Sequence, residues 1–217
     1  MGTQTTDQMV TQVRFKMDNR SATDITAAQI LRWLNGAYDH VCRPSIFRHR
    51  ELQSTQNITL AASDRDYALA SNFDFIHSVF NVDEGYGLDP GDIREFDRSR
   101  ITTSRPVKYD TWGTDLIINC NPSSTYQGDI LRVRYYVTRT LLTAGTGTTT
   151  IHERWDEIIV EGATWRGWKD LSNIDRADQC RDEFARMINE ITDIARIEAE
   201  DWGSSSEPQI QPVMRVS

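Results

Sequence analysis

The chain is poor in cysteine: Cys42, Cys120 and Cys180 are odd in number and far apart among 217 residues. They fit reduced, buried thiols in a cytosolically made protein better than a disulfide framework. No apolar run approaches the roughly 20 residues that a membrane span needs, so no membrane partner is expected. Basic residues are in the minority, with 24 Lys and Arg against 32 Asp and Glu and a formal net charge of −8. Such a balance argues against general attraction to nucleic-acid phosphates, which takes clustered Lys and Arg. The opening stretch "MGTQTTDQMVTQVRFKM" shows no charged region followed by an apolar one, so no secretory signal is expected. Without one, the acceptor pattern Asn57-Ile58-Thr59 carries no weight, and the pairing of Gly2 with Thr6 is too short a pattern to read as a lipidation signal.

Motifs that carry chemistry are equally scarce. His40, His49, His77 and His152 fall on different predicted elements, and neither H-E-x-x-H nor C-x-x-C occurs. Ala144-Gly145-Thr146-Gly147 contains G-x-G without the Lys-Ser/Thr or third glycine of a phosphate cradle, and it reads as linker. No G-x-S-x-G elbow is present. Carboxylate pairs such as Asp182/Glu183 or Glu84/Asp92 read as solvated helix faces or loop ends. The densest basic cluster, Arg43, Arg48, His49 and Arg50, has Glu51 beside it and reads as a salt-bridged surface. No catalytic, cofactor-binding or metal-ligating residue is expected, no cofactor either, and the chain does not read as an enzyme.

What is present is a change of period along the chain. Residues 5–18 and 24–43 read as helices, with capping-box spacing at Thr5-x-x-Gln8 and Thr26-x-x-Gln29. Leu31, Leu34, Tyr38, Val41 and Cys42 line one face of the second helix, which Pro44 ends. From about residue 50 to 139 the period is two. Leu52, Ile58 and Leu60 share a face, and so do Leu131, Val133, Tyr135 and Val137, opposite Arg132 and Arg134. "VKYDTWGTDLIINC" reads as two strands joined by a tight turn at Trp112-Gly113-Thr114-Asp115. Asp92 to Arg98 reads as a short helical turn. Nothing between the strands is long enough for helical crossovers, so a meander-like antiparallel unit is expected.

After the flexible-looking "TAGTGTTT", the helical period returns at about residue 151. A long helix over about 174–201 carries Cys180, Phe184, Met187, Ile188, Ile191 and Ile194 as one stripe. The remainder, with its prolines and serines, reads as an extended tail. The expected fold class is α+β. A helical bundle is formed by residues 1–45 and 150–202, an antiparallel β unit is inserted at 46–140, a linker spans 141–149, and an extended tail covers 203–217.

The stretch "ERWDEIIVEGATWRGWKDL" (153–171) holds three of the six tryptophans. At about 100° per residue, Trp155, Ile158, Ile159, Gly162 and Trp165 form one stripe. Trp168 lies nearly opposite, with Val160, Thr164 and Leu171. A helix apolar on two sides is sandwiched within its own fold or packed against something outside it. Two covers for the second stripe stay open: the β unit, or a subunit interface built on Val160, Thr164, Trp168 and Leu171, where a large aromatic is a favoured anchor. The tail leaves a similar choice between disorder and docking through spaced apolar residues.

The order of these features resembles the head-to-tail adaptor (connector or neck) proteins of tailed bacteriophages and gene transfer agents. "ILRWLNGAYDHVCR" (30–43) is similar to the family's second helix with its Trp-Leu-Asn-x-Ala-Tyr segment. "DYALASNFDFIHSV" (66–79) is similar to its Tyr-x-Leu-Pro-x-x-Phe strand and turn, with Ala70 where proline is usual. "LRVRYYVTRTLL" (131–142), followed by the tryptophan-rich stretch, is similar to its last strand, linker and third helix. The resemblance implies a structural virion protein at the neck, made in the host bacterial cytoplasm and assembled as a homo-oligomeric ring, a dodecamer, under the portal. It implies that the ring continues the DNA channel without specific binding and contacts a tail or stopper protein below. It also implies that the tail docks on the portal protein, through Pro208, Ile210, Pro212, Val213, Met214 and Val216. The alternative function is a β-domain binding module, such as a phage tail or decoration protein that recognises a capsid or host surface.

Overall fold

The computed structural model describes residues 4–43, 45–98 and 102–201, with the backbone alone over 195–201. The chain is α+β and divides into two compact units, one formed by residues 1–51 with 139–217, the other by residues 52–138.

The first unit is helical. Helices α1 (Thr6–Lys16) and α2 (Ala27–Val41) both begin with a complete capping box, from Thr5 to Gln8 and from Thr26 to Gln29. The threonine hydroxyl and the glutamine amide there satisfy backbone N–H groups that have no partner in the first turn. Helix α4 (Asp156–Asp170) is the centre of this unit and packs against α1, α2 and α5 (Ile174–Asp201). Two glycines permit the close approach. A Cβ on Gly162 would lie 2.9 Å from the Cβ of Ala37 on α2, and one on Gly167 would lie 2.9 Å from Cζ3 of Trp33. Helix α4 ends in a tight reversal: Ser172 takes φ +57°, and the Asn173 amide donates to the Trp168 carbonyl. The Asn173 side chain then accepts from the Arg176 amide at the start of α5. On α5, Ala177, Phe184, Ile188 and Thr192 are buried, so the expected stripe faces the core, while Ile194 near its end stays exposed.

The segment expected to be a flexible linker is strapped down. The amide and the hydroxyl of Thr6 both donate to the Gly147 carbonyl, at 2.7 and 2.8 Å. The Asp7 amide donates to the Gly145 carbonyl, and the Gly145 amide returns a bond to Asp7 Oδ1. Glycine composition pointed to freedom, but the free donors of the α1 N-terminus supply partners for this segment's backbone.

The second unit is a seven-stranded sheet in the order β1-β9-β3-β4-β6-β7-β2. Its strands are β1 (Gln53–Thr59), β2 (Asp66–Ala68), β3 (Phe73–Asn81), β4 (Tyr86–Pro90), β6 (Lys108–Trp112), β7 (Asp115–Ile118) and β9 (Ile130–Val137). The small strands β5 (Thr103–Ser104) and β8 (Asn121–Pro122) pair separately. The sheet is antiparallel except between β4 and β6, which run parallel, with α3 (Ile93–Arg98) between them in sequence. A meander is therefore only part of the topology. The short α3 suffices as a crossover element because Phe96 is buried and its ring packs directly on Gly91, where a Cβ would fall 2.5 Å away. The turn at Gly113 (φ +61°) joins β6 to β7 as the sequence predicts. Residues 69–73 also close a turn without proline, the Phe73 amide donating to the Ala70 carbonyl. The core of this unit comprises Ile58, Val79, Leu88, Leu116, Ile118, Leu131, Val133 and Tyr135 on the inward face of their strands, with Leu60 just past the end of β1. Gln56 on edge strand β1 bonds Ala68 O and Ala70 N beside edge strand β2, so the sheet curls and its two edges meet.

Candidate functional site

The tryptophan-rich helix is the natural starting point, and the structure assigns each ring. Trp155 is buried in an aromatic cage, its ring centroid 5.1 Å from Phe47 and 4.8 Å from His49. Trp165 is half-buried and leans on Phe184 at 5.9 Å. Trp168 is only 2% exposed. Its helix is covered there by the end of α1, with Met17 packed on Gly167, and the guanidinium groups of Arg20 and Arg176 lie 6.0 and 4.8 Å from the Trp168 ring centroid. Asp18, just beyond α1, holds Arg176 in an ion pair.

Of the four residues expected at a subunit interface, Val160, Thr164 and Trp168 are thus buried within their own unit, and only Leu171 is exposed, at 42%. Neither cover foreseen for the second stripe is the one observed: α1 and the turn after it occupy that side. The sequence signal was the pair Met9 and Val13, which with Met17 are fully buried but belong to a short helix with a weak apolar stripe. Around Leu171 the exposed apolar surface continues with Ile174, at 70%. Phe15, at 71%, stands out from α1, whose C-terminal end meets the same turn through the Asp18–Arg176 pair. The residues expected to dock on a portal, Pro208, Ile210, Pro212, Val213, Met214 and Val216, lie outside the described residues.

Titratable groups in the helical unit are tied to structure. Asp156 is buried and accepts bonds from the Thr149 hydroxyl and the Gln4 amide, both at 2.8 Å. Burial pushes its carboxyl above the usual range, and these bonds pull the other way. Burial likewise pushes the thiols of Cys42 and Cys180 up to about 12, which leaves them protonated and unreactive at neutral pH. Cys120 is buried and shifted the same way. Among the described residues no group of three or more His, Cys, Asp or Glu side chains could hold a metal ion, and no helix is long and apolar enough to cross a membrane.

In the β unit, Arg132 and Arg134 lie on the sheet face opposite the core. The register aligns Asn57 with Arg132 and Phe80 in one row and Thr55 with Arg134 and Ser78 in the next. Phe80 is exposed, and Trp112, at the tip of the β6–β7 hairpin, is 68% exposed. Beside the Arg134 row a cavity of about 260 Å³ is lined by Gln53, Ser54, Thr55, His77, Arg134 and Tyr135.

The structure is thus a capped helical unit carrying an inserted sheet, with exposed apolar side chains on both. The chain matches the SU10 adaptor protein family over residues 4–209, nearly its whole length, and it belongs to that family of phage structural adaptors of the head-to-tail type. No curated protein matches the sequence. A virion location and contacts with portal and tail components follow from that membership.

Proposed function

We propose that the chain assembles into a ring under the portal, continues the DNA channel toward the tail, and docks on the portal through residues 203–217. The observation that carries this reading is the family match over residues 4–209, which spans both units and reaches into the tail. Physical features support it. Helix α5 leads directly into the proposed docking segment. The acidic balance of the chain suits a conduit, because a channel wall that repels phosphates lets DNA slide instead of sticking. The ring's order, a dodecamer, and the placing of the β unit on the outside or at neighbour contacts belong to the same proposal. So does the lateral contact, which we now place on Leu171 with Ile174 in place of Trp168.

Mixing the full chain with its cognate portal tests this. A complex of high rotational symmetry is expected, and deletion of residues 203–217 should abolish it. Full binding by the truncated chain would overturn the docking role.

A second reading, the β unit as a binding module for a capsid or host surface, is favoured by the exposed Trp112. Under it, removal of residues 50–139 should abolish binding to that surface while the helical unit stays folded.

A further inference from the structure

Within the helical unit, three arginines gather near Asp39. Asp39 on α2 is flanked by two arginines: its Oδ1 forms an ion pair with Arg139 at 3.0 Å, and its Oδ2 accepts from Arg43 at 3.3 Å. Both carboxylate oxygens are therefore engaged. A third arginine, Arg166 on α4, lies against the backbone of Gly36, its guanidinium 3.3 Å from where a Cβ would sit. It also lies 5.5 Å from the Trp165 ring centroid. Arg166 has no ion pair and no hydrogen bond among the described residues. The Nε atoms of Arg139 and Arg166 are both buried without a partner. The other carboxylate close enough to act on Arg166 is Asp170, whose Oδ2 already accepts from Arg32 at 2.9 Å and Trp33 Nε1 at 2.6 Å. The neighbouring His40 is held below its ordinary pKa by burial and by Arg43 and Arg166, so it adds no negative counter-charge. Three guanidinium groups thus gather near Asp39, both of whose oxygens are engaged, and Arg166 has only the charge of Asp170 beside it.

A half-buried cation without a partner is costly, and its deletion or pairing changes stability more than that of a surface charge. The planar fork of arginine matches a carboxylate with two parallel bonds. Part of the site is open, since the Arg43 side chain is 56% exposed and that of Arg139 18%. The chain itself offers the complementary group. It carries 32 acidic against 24 basic residues, and on α5 the exposed Asp175 and Asp193 have no ion pair among the described residues.

We infer that Arg43, Arg139 and Arg166 form an oxyanion site that accepts an exposed carboxylate of a second copy of this chain. The occupant rests on the ring reading above; the site itself does not. Its place on α2 and α4 makes it a register pin between neighbours: an apolar contact at Leu171 and Ile174 sets the attraction, and the arginine site fixes the orientation.

The test uses the full chain and has two arms. In the first, melting is followed in sodium sulfate and in sodium chloride at equal ionic strength. Sulfate stabilises proteins generally, so the measure is the difference between wild type and variant. A saturable additional rise in Tm is expected in wild type, absent in Arg166→Gln and reduced in Arg166→Lys, which keeps the charge and loses the fork. An equal rise in wild type and Arg166→Gln would overturn the anion site. In the second arm, sedimentation velocity measures self-association over a range of concentrations. Arg166→Gln is expected to weaken it by about tenfold or more, the scale of one charged pair at an interface. Association unchanged in the variant would overturn the second copy as occupant, and so would duplex DNA that binds wild type and not Arg166→Gln. Wild type that associates neither alone nor on the portal would overturn the ring reading and this occupant together, while the first arm still decides the site.

Discussion

Gly162 on α4 faces the ring of Phe184 on α5 with no room between them: a Cβ at residue 162 would lie 2.7 Å from Cε2 of Phe184 and 2.9 Å from the Cβ of Ala37. Helices α2 and α5 approach α4 together at this one residue. Substitution Gly162→Ala would gain about 1 kcal/mol in helix propensity. It would also force both neighbours aside, an overpacking that costs typically about 1–3 kcal/mol and here engages two helices at once. We expect a net loss of up to about 2 kcal/mol, read by urea unfolding. A variant as stable as wild type would mean that α5 can shift without cost.

Trp168→Ala distinguishes core from interface. With the ring 2% exposed, truncation should destabilise the isolated chain by about 3–5 kcal/mol. Leu171→Ser and Ile174→Ser, at exposed positions, should stay within about 0.5 kcal/mol of wild type. The same two changes should weaken assembly on the portal. Comparing denaturation midpoints with complex formation separates the roles; loss of assembly by Trp168→Ala at unchanged stability would return that tryptophan to the interface.

Acid should weaken the fold through histidine. The His49 ring donates from Nε2 to the Val41 carbonyl at 2.9 Å, which leaves a buried Nδ1 without a partner. Burial holds its pKa below the ordinary 6.5, against the pull of the Val41 bond and Glu51. His40 is shifted the same way, by burial and then by Arg43 and Arg166. A depressed folded pKa means that the unfolded chain binds the proton first. The stabilisation is complete above 6.5 and is lost as pH falls through the folded values. Asp156 acts with the opposite sign: its carboxyl is raised above 3.8, so its contribution is present below that value and is lost as pH rises through the folded pKa. Denaturation measured from pH 7 down toward pH 5 should show falling stability, less steep in His49→Gln. A flat profile would show that neither histidine is neutral by burial.

The strap over residues 143–148 depends on Asp7. Removing the carboxylate with Asp7→Ala deletes the bond from the Gly145 amide, worth about 1 kcal/mol. Hydrogen exchange at Gly145 should accelerate, and limited proteolysis should cut this segment sooner than in wild type. Unchanged protection would mean that the backbone bond from residue 7 to Gly145 and the two bonds from Thr6 to Gly147 hold the segment without the carboxylate.

Local chemistry was legible in the sequence wherever a side chain acts on its own neighbourhood. Thr5 and Gln8, or Thr26 and Gln29, need only one helical turn to meet, and Gly113 needs only its own φ to make the hairpin. The alternation along Ile130–Val137 is a property of one strand and held, with Leu131, Val133 and Tyr135 buried. What spacing could not say was which element covers which. Trp168 lies off the main stripe of α4, as the helical spacing dictates. Its cover, Met17, Arg20 and Arg176, comes from residues about 150 positions away and from the next helix. The parallel pairing of β4 with β6 is likewise a choice between distant strands, decided by Phe96 fitting on Gly91. The same holds for the arginines around Asp39: Arg43 is visible at i, i+4, whereas Arg139 and Arg166 arrive only through packing. The sequence alone determined the element types, the capped ends, the inserted sheet and the resemblance to an adaptor. The tertiary structure decided which tryptophan is available to a neighbour, whether the glycine-rich segment is free, and where the arginines gather, because burial and charge balance depend on residues brought together across the whole chain.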